Sequence, residues 1–228
     1  MSRDAGGAAA GRILVYLEVG TKRVFACALD WPGWCRSGRD QTQAIESLTN
    51  YAPRYAAVCR TARVDFPGGL PQFEVVEKVK GSASTDFGVP GEISKRDREH
   101  PTPKELERTT SLVEAAWKVF DRVAAAAPAQ LRKGPRGGGR DRDQIVEHVL
   151  GAEVIYARKL GVRHPQPAIS DRAGIRSLRK AIVDGLRAAS MNEPVEKGWP
   201  GRYAARRIAW HVLDHAWEME DRSAPSSD

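Results

Sequence analysis

Three histidines in the second half of the chain carry the residue type and spacing of a metal site. His211 and His215 lie four residues apart in the stretch 206–222, so on a helix both imidazoles project from one face, one turn apart. Ile208, Val212, Ala216 and Met219 form an apolar arc on that helix, and the two histidines sit at its edge. His148 lies on another helical stretch, on a face shared with Ala152 and Ile155. Two imidazoles one turn apart and a third from a neighbouring helix can give a divalent ion three nitrogen ligands. A fourth position then stays open for water or substrate. The competing reading is a set of satisfied core histidines.

Other side chains nearby have weaker claims. Glu153, Asp214 and Glu218 could orient an imidazole or act as a base, or could be solvated helix charges. Arg206 and Arg207 stand one turn before His211 and are candidates to meet a substrate carboxylate. Arg132, Lys133, Arg136, Arg140 and Arg142 bracket Gly137–Gly139 ahead of the His148 helix, as an anion grip or a solvated loop. Trp117, Trp199, Trp210 and Trp217 read as core. His100 and His164 fall in loops beside prolines, outside the site.

The elements that must position these residues are helices. Thr102-Pro-Lys-Glu105 combines a capping box with proline at the first helical position. Leu106, Thr110, Val113, Trp117, Phe120 and Ala124 then form an apolar stripe that ends before Pro128. The His148 helix is expected over 143–160. A third helix starts at Asp171 with Ile175, Leu178, Ile182 and Leu186 on one face, and a fourth starts near Arg202. Four amphipathic helices joined by moderate loops predict an all-α four-helix bundle over 101–224, a usual setting for metal sites built from facing helices.

The first part of the chain reads differently. Runs at 13–19 and 24–29 around a turn at 20–23 predict a hairpin. Asp40 caps a helix with Ala44, Ile45, Leu48 and Tyr55 inward, and Pro53 should end or kink it. A third strand is expected at 73–79. The result is a small α+β module (β-β-α-β) over 12–80, with a turn-rich, charged linker at 81–100.

The whole chain of 228 residues carries a formal charge of +7 and a sequence pI near 9.5, from arginine scattered along its length. Such a spread gives little support to a nucleic-acid partner. Three cysteines, Cys27, Cys35 and Cys59, show no CxxC spacing and do not make an even disulfide set, which points to a reducing compartment. Residues 1–11 lack an apolar core and no run reaches membrane-span length, so a soluble cytoplasmic protein without a membrane partner is expected.

Two resemblances accompany these patterns. Ala28-Leu-Asp-Trp-Pro-Gly-Trp-Cys35, followed by Ser37-Gly-Arg-Asp-Gln-Thr-Gln-Ala-Ile-Glu-Ser-Leu48, resembles the HicB-like antitoxin module over about residues 12–60. Trp34 and Gln43 depart from that family's pattern. Residues 102–222 resemble the DinB-like superfamily, with His148, His211 and His215 at its ligand positions. This second resemblance implies a divalent metal, zinc first, with nickel or manganese as alternatives. It also implies a metal-dependent thiol-S-transferase, or a related isomerase or lyase, using an external low-molecular-weight thiol. Small-molecule thiol or carboxylate substrates, a protein partner for the N-terminal module and a homodimer fit the same picture. The rival function is a non-catalytic regulator acting through the HicB-like module.

Overall fold

The structure is a computed structural model that describes residues 12–134 and 138–223; the sequence features at 1–11, and Arg136 and Gly137 of the basic loop, lie outside the described residues. The architecture is α+β, with a four-stranded sheet followed by long helices.

Strands β1 (Ile13–Val19) and β2 (Val24–Ala28) pair antiparallel, closed by a turn in which the Gly20 amide donates to the Arg23 carbonyl at 2.9 Å. The expected β-β-α-β order is incomplete in two places. A third strand, β3 (Cys35–Gly38), pairs antiparallel with β2, and the following helix is split into α1 (Gln41–Asn50) and α2 (Ala52–Ala62). At four mostly polar residues, β3 has no alternation to announce it. The split falls at Pro53, which sits in the first turn of α2, where its missing amide hydrogen is not needed. Asp40 caps α1 by accepting the Gln43 amide at 2.9 Å. Strand β4 (Phe73–Lys80) then joins the far edge parallel to β1, giving the order β3-β2-β1-β4.

Both central strands are buried because both sheet faces are covered. Val15, Leu17 and Ala26 pack with Trp34, Leu48 and Tyr55, and this core runs without a break into the later helices. On the other face Tyr16, Phe25, Cys27 and Leu29 meet Trp210. Cys27 lies opposite Cys35 in the β2–β3 register, and the two form a disulfide with Cα atoms 4.2 Å apart. The cysteine reading is corrected here, since that pairing depends on the strand the sequence did not reveal. Cys59 is left as a buried thiol, pushed up to about 12 by burial.

Residues 81–100, expected as a linker, are folded onto the sheet. They contain α3 (Ala83–Phe87) and a short helical turn at Arg96–Arg98. The fully buried Glu18 carboxylate accepts the Thr85 hydroxyl and the Gly91 and Glu92 amides, the latter two at 3.0 Å. Asp97 accepts both the amide and the hydroxyl of Ser94 at 2.8 Å.

Four long helices follow: α4 (Pro103–Ala126), α5 (Arg142–Lys159), α6 (Arg172–Met191) and α7 (Gly201–Ser223). Thr102 and Glu105 form the expected capping box, which holds the Glu105 carboxyl down at about 2. Asp171 caps α6. Helix α7 packs against α4, α5 and α6, and also against the sheet side of the molecule. Gly33 lies so close to it that an added Cβ would stand 2.6 Å from a Leu213 methyl. Among the described residues no helix is long and apolar enough to cross a membrane.

Arg206 locks α7 to the folded 81–100 segment. Its guanidinium is buried, bonds both carboxylate oxygens of Asp97 (2.8 Å from Nε), and donates to the Tyr16 hydroxyl at 3.2 Å. Removing one partner of a buried pair strands the other charge without solvent. Asp97→Ala should therefore lose about 3–5 kcal/mol in urea unfolding. A loss below about 1 kcal/mol would show that water reaches Arg206 once Asp97 is gone.

Candidate metal centre

Helices α5 and α7 bring His148, His211 and His215 together. One ligand-capable atom from each lies within 4.8 Å of the others. The ring centroids stand 4.7–5.0 Å apart. The Nε2 atoms of His148 and His211 face each other at 3.2 Å. Two imidazole nitrogens at that distance share one proton or turn both lone pairs to a common cation. With zinc–nitrogen bonds of 2.0–2.1 Å, tetrahedral geometry separates ligand nitrogens by about 3.3 Å, so this spacing fits a metal.

The third histidine is held by its neighbours. His215 Nδ1 lies 2.8 Å from Glu218 Oε2, while Glu218 Oε1 accepts Arg222 Nη1 at 2.7 Å. The hydrogen bond to His215 comes first in holding the Glu218 carboxyl below its ordinary value. An ionised carboxylate only accepts, so the His215 Nδ1 facing it carries a proton and Nε2 is the nitrogen left to ligate. A carboxylate behind a ligating imidazole fixes its tautomer and raises its basicity. His211 departs from that arrangement: its buried Nδ1 has no hydrogen-bond partner among the described residues.

The surroundings of His148 and His211 favour the unprotonated ring. Burial comes first in lowering His211 well below its usual value, followed by His215 and Arg207. Burial also leads for His148, followed by His215 and Arg140. Free lone pairs are what a metal needs. Tyr156 of α5 closes the inner side, with its ring 5.7 Å from that of His211, and Arg207 lies over Tyr156 and Trp210 at 5.4 and 4.6 Å. The outer side is a cleft of about 920 Å³ that reaches His148 and Glu218.

The other candidate residues are dispersed. Arg206 belongs to the Asp97 network, and Asp214 pairs with Arg36 of β3 at 2.7 Å. Glu153 is buried away from the histidines, 3.5 Å from Arg179, and burial raises its carboxyl. Arg140 lines the cleft beside His148, whereas Arg132 and Lys133 bond the Asp221 carbonyl and Asp141. Arg142 bonds Asp143. His100 meets the Ser190 carbonyl and His164 the Ser177 hydroxyl, both outside the site. Sequence reasoning missed Arg222 and Tyr156. Arg222 was signalled by its four-residue spacing from Glu218; nothing announced Tyr156. None of the family models, curated proteins or solved structures compared with the chain matches it.

The depressed His211 makes a pH prediction. In the unfolded chain its imidazole titrates near 6.5, so below that pH the unfolded state takes up the proton first. Stability should then fall with pH, by up to about 1.4 kcal/mol per pH unit from this one group. In chelator-treated protein, stability should drop more steeply from about pH 6.5 to about pH 5 in the wild type than in His211→Gln. Parallel slopes in urea titrations would show that folded His211 accepts the proton freely.

Proposed function

We propose that this chain binds a divalent metal through His148, His211 and His215, and that residues 101–224 form a four-helix bundle of DinB-like type. The activity we assign is metal-dependent thiol-S transfer, or a related isomerase or lyase step. The observation that carries this reading is the convergence of three imidazoles, one of which, His148, lines an open cleft. When bound, a divalent ion lowers the pKa of a thiol or water and so supplies a nucleophile at neutral pH.

The chain's own residues have separate parts in this scheme. The three histidines hold the ion, zinc being the first choice and nickel or manganese the alternatives. Glu218, braced by Arg222, orients His215. Tyr156 and Trp210 keep water from the inner side, and Arg140 places positive charge at the mouth. The thiol comes from outside as a low-molecular-weight cofactor. Cys27 and Cys35 are paired across the sheet and Cys59 is buried, so neither pair nor thiol serves the site.

The decisive measurement is metal content of tag-free protein by mass spectrometry. The wild type should hold about one equivalent, and His148→Ala and His211→Ala should hold none. Glu218→Gln should keep the site but weaken it about 10–100-fold in competition with a chelator. A wild type that stays metal-free after incubation with zinc, nickel and manganese overturns the proposal.

A further inference from the structure

The cleft extends well past His148. His148, Gly151, Ile155 and Arg158 follow one another at helical steps of three, four and three along α5, and all four line it. Ile155 is 56% exposed, large for an apolar side chain in the middle of a helix. Gly151 and Ala152 beside it are small, so the middle of the cleft has a shallow apolar floor. Gln166, on the chain leaving α5, forms a wall: a Cβ on Gly151 would stand 3.3 Å from its side-chain oxygen.

Charge is placed at the two ends. Arg140 and Arg158 line the cleft, and neither side chain has a hydrogen bond or ion pair among the described residues. Arg140 stands near enough to repel a proton from both His148 and His211. At the far end a second hollow of about 670 Å³ begins at Arg158 and continues to Arg163 and His164. Two acidic groups oppose them. Glu218 is already bound by His215 and Arg222, and Glu147 stands on the lip near the histidine end, so the distal end keeps an unopposed positive charge.

We propose that this cleft binds an elongated organic anion, with a metal-ligating group at the histidines, an apolar middle on Gly151, Ala152 and Ile155, and a carboxylate at Arg158. This rests on the metal reading above and adds the shape and charge of the ligand to it. Ten residues of helix separate His148 from Arg158, a rise of about 15 Å. A matching ligand is as long as about four residues of extended peptide. A short acid bound at the histidines cannot reach Arg158.

The test uses three hydroxamates on the zinc-loaded full chain, followed by calorimetry: the monohydroxamate of sebacic acid, decanohydroxamic acid, and the monohydroxamate of succinic acid. All three carry the same metal-binding head. Only the first adds both the apolar middle and a distant carboxylate. It should bind about two- to fivefold tighter than decanohydroxamic acid, the scale of one exposed charge pair. Arg158→Glu should abolish that advantage while leaving decanohydroxamic acid binding unchanged. Arg140→Gln should weaken all three together, because it acts at the shared head. Equal binding of the two long compounds by the wild type, or an advantage that survives Arg158→Glu, overturns the distal site while leaving the metal reading intact. Failure of the chain to take up zinc, with no hydroxamate binding, overturns both.

Discussion

The Arg206 guanidinium has no water to turn to, and the placement of α7 depends on how that charge is met. Asp97 binds it on two nitrogens and Tyr16 on a third. Asp97 is itself fixed by Ser94, and the segment that carries both is fixed by buried Glu18. One chain of polar contacts thus runs from β1 through residues 81–100 to the helix that bears two of the three histidines. Apolar packing gives α7 its depth, but it is tolerant of small slips. A two-pronged ion pair is not, because a displaced Arg206 would be a bare charge in a low-dielectric interior. The rotation and height of α7, and so the positions of His211 and His215, follow from that constraint.

The histidine cluster, two-thirds of it on the same helix, is under the opposite kind of tension. Burial comes first in making protonation of His148 and His211 unfavourable, and neighbouring His215 and Arg140 add to it for both. The facing nitrogens of His148 and His211 are 3.2 Å apart, a distance that one shared proton bridges. On the proposed reading a cation would take the place of that proton. Glu218 then matters for sign as well as for orientation. Its carboxylate stands behind His215, and Arg222 holds it there.

The helices were legible in the sequence because their signals are local. The Thr102–Glu105 capping box, the Asp171 cap and the stripe through Val113, Trp117 and Phe120 depend only on residues within a few turns. The histidines were legible for the same reason: a pair at four-residue spacing fixes its own face. What could not be read depends on contacts distant in the chain. Strand β3 exists because β2 offers it an edge, and its Cys-Arg-Ser-Gly sequence has no pattern of its own. The 81–100 segment looks like a linker because its anchor, Glu18, lies more than sixty residues earlier. Arg206 looks like a substrate residue from its neighbours in sequence and becomes a structural one only when Asp97 arrives from 109 residues away.

Helix α5 shows how the site and the fold divide one element between them. Its inner face, with Ile145, Val149, Leu150 and Ala157, belongs to the core, and Tyr156 beside it meets His211. The face through His148 was expected to rest on apolar ground, and Ala152 and Ile155 do share it, but that ground is the floor of a cleft. A glycine at 151 in mid-helix costs about 1 kcal/mol relative to alanine, and packing accounts for it only through the Gln166 side chain, whose oxygen an added Cβ would meet at 3.3 Å. Packing does not explain an isoleucine left half in solvent at 155. Both residues are reasonable if this face is read from outside, by a molecule that needs a low floor and some apolar surface between the histidines and Arg158. The cost in helix stability falls on α5, which the polar network leaves free. Helix α7, held from its other side by Arg206, supplies the fixed half of the site.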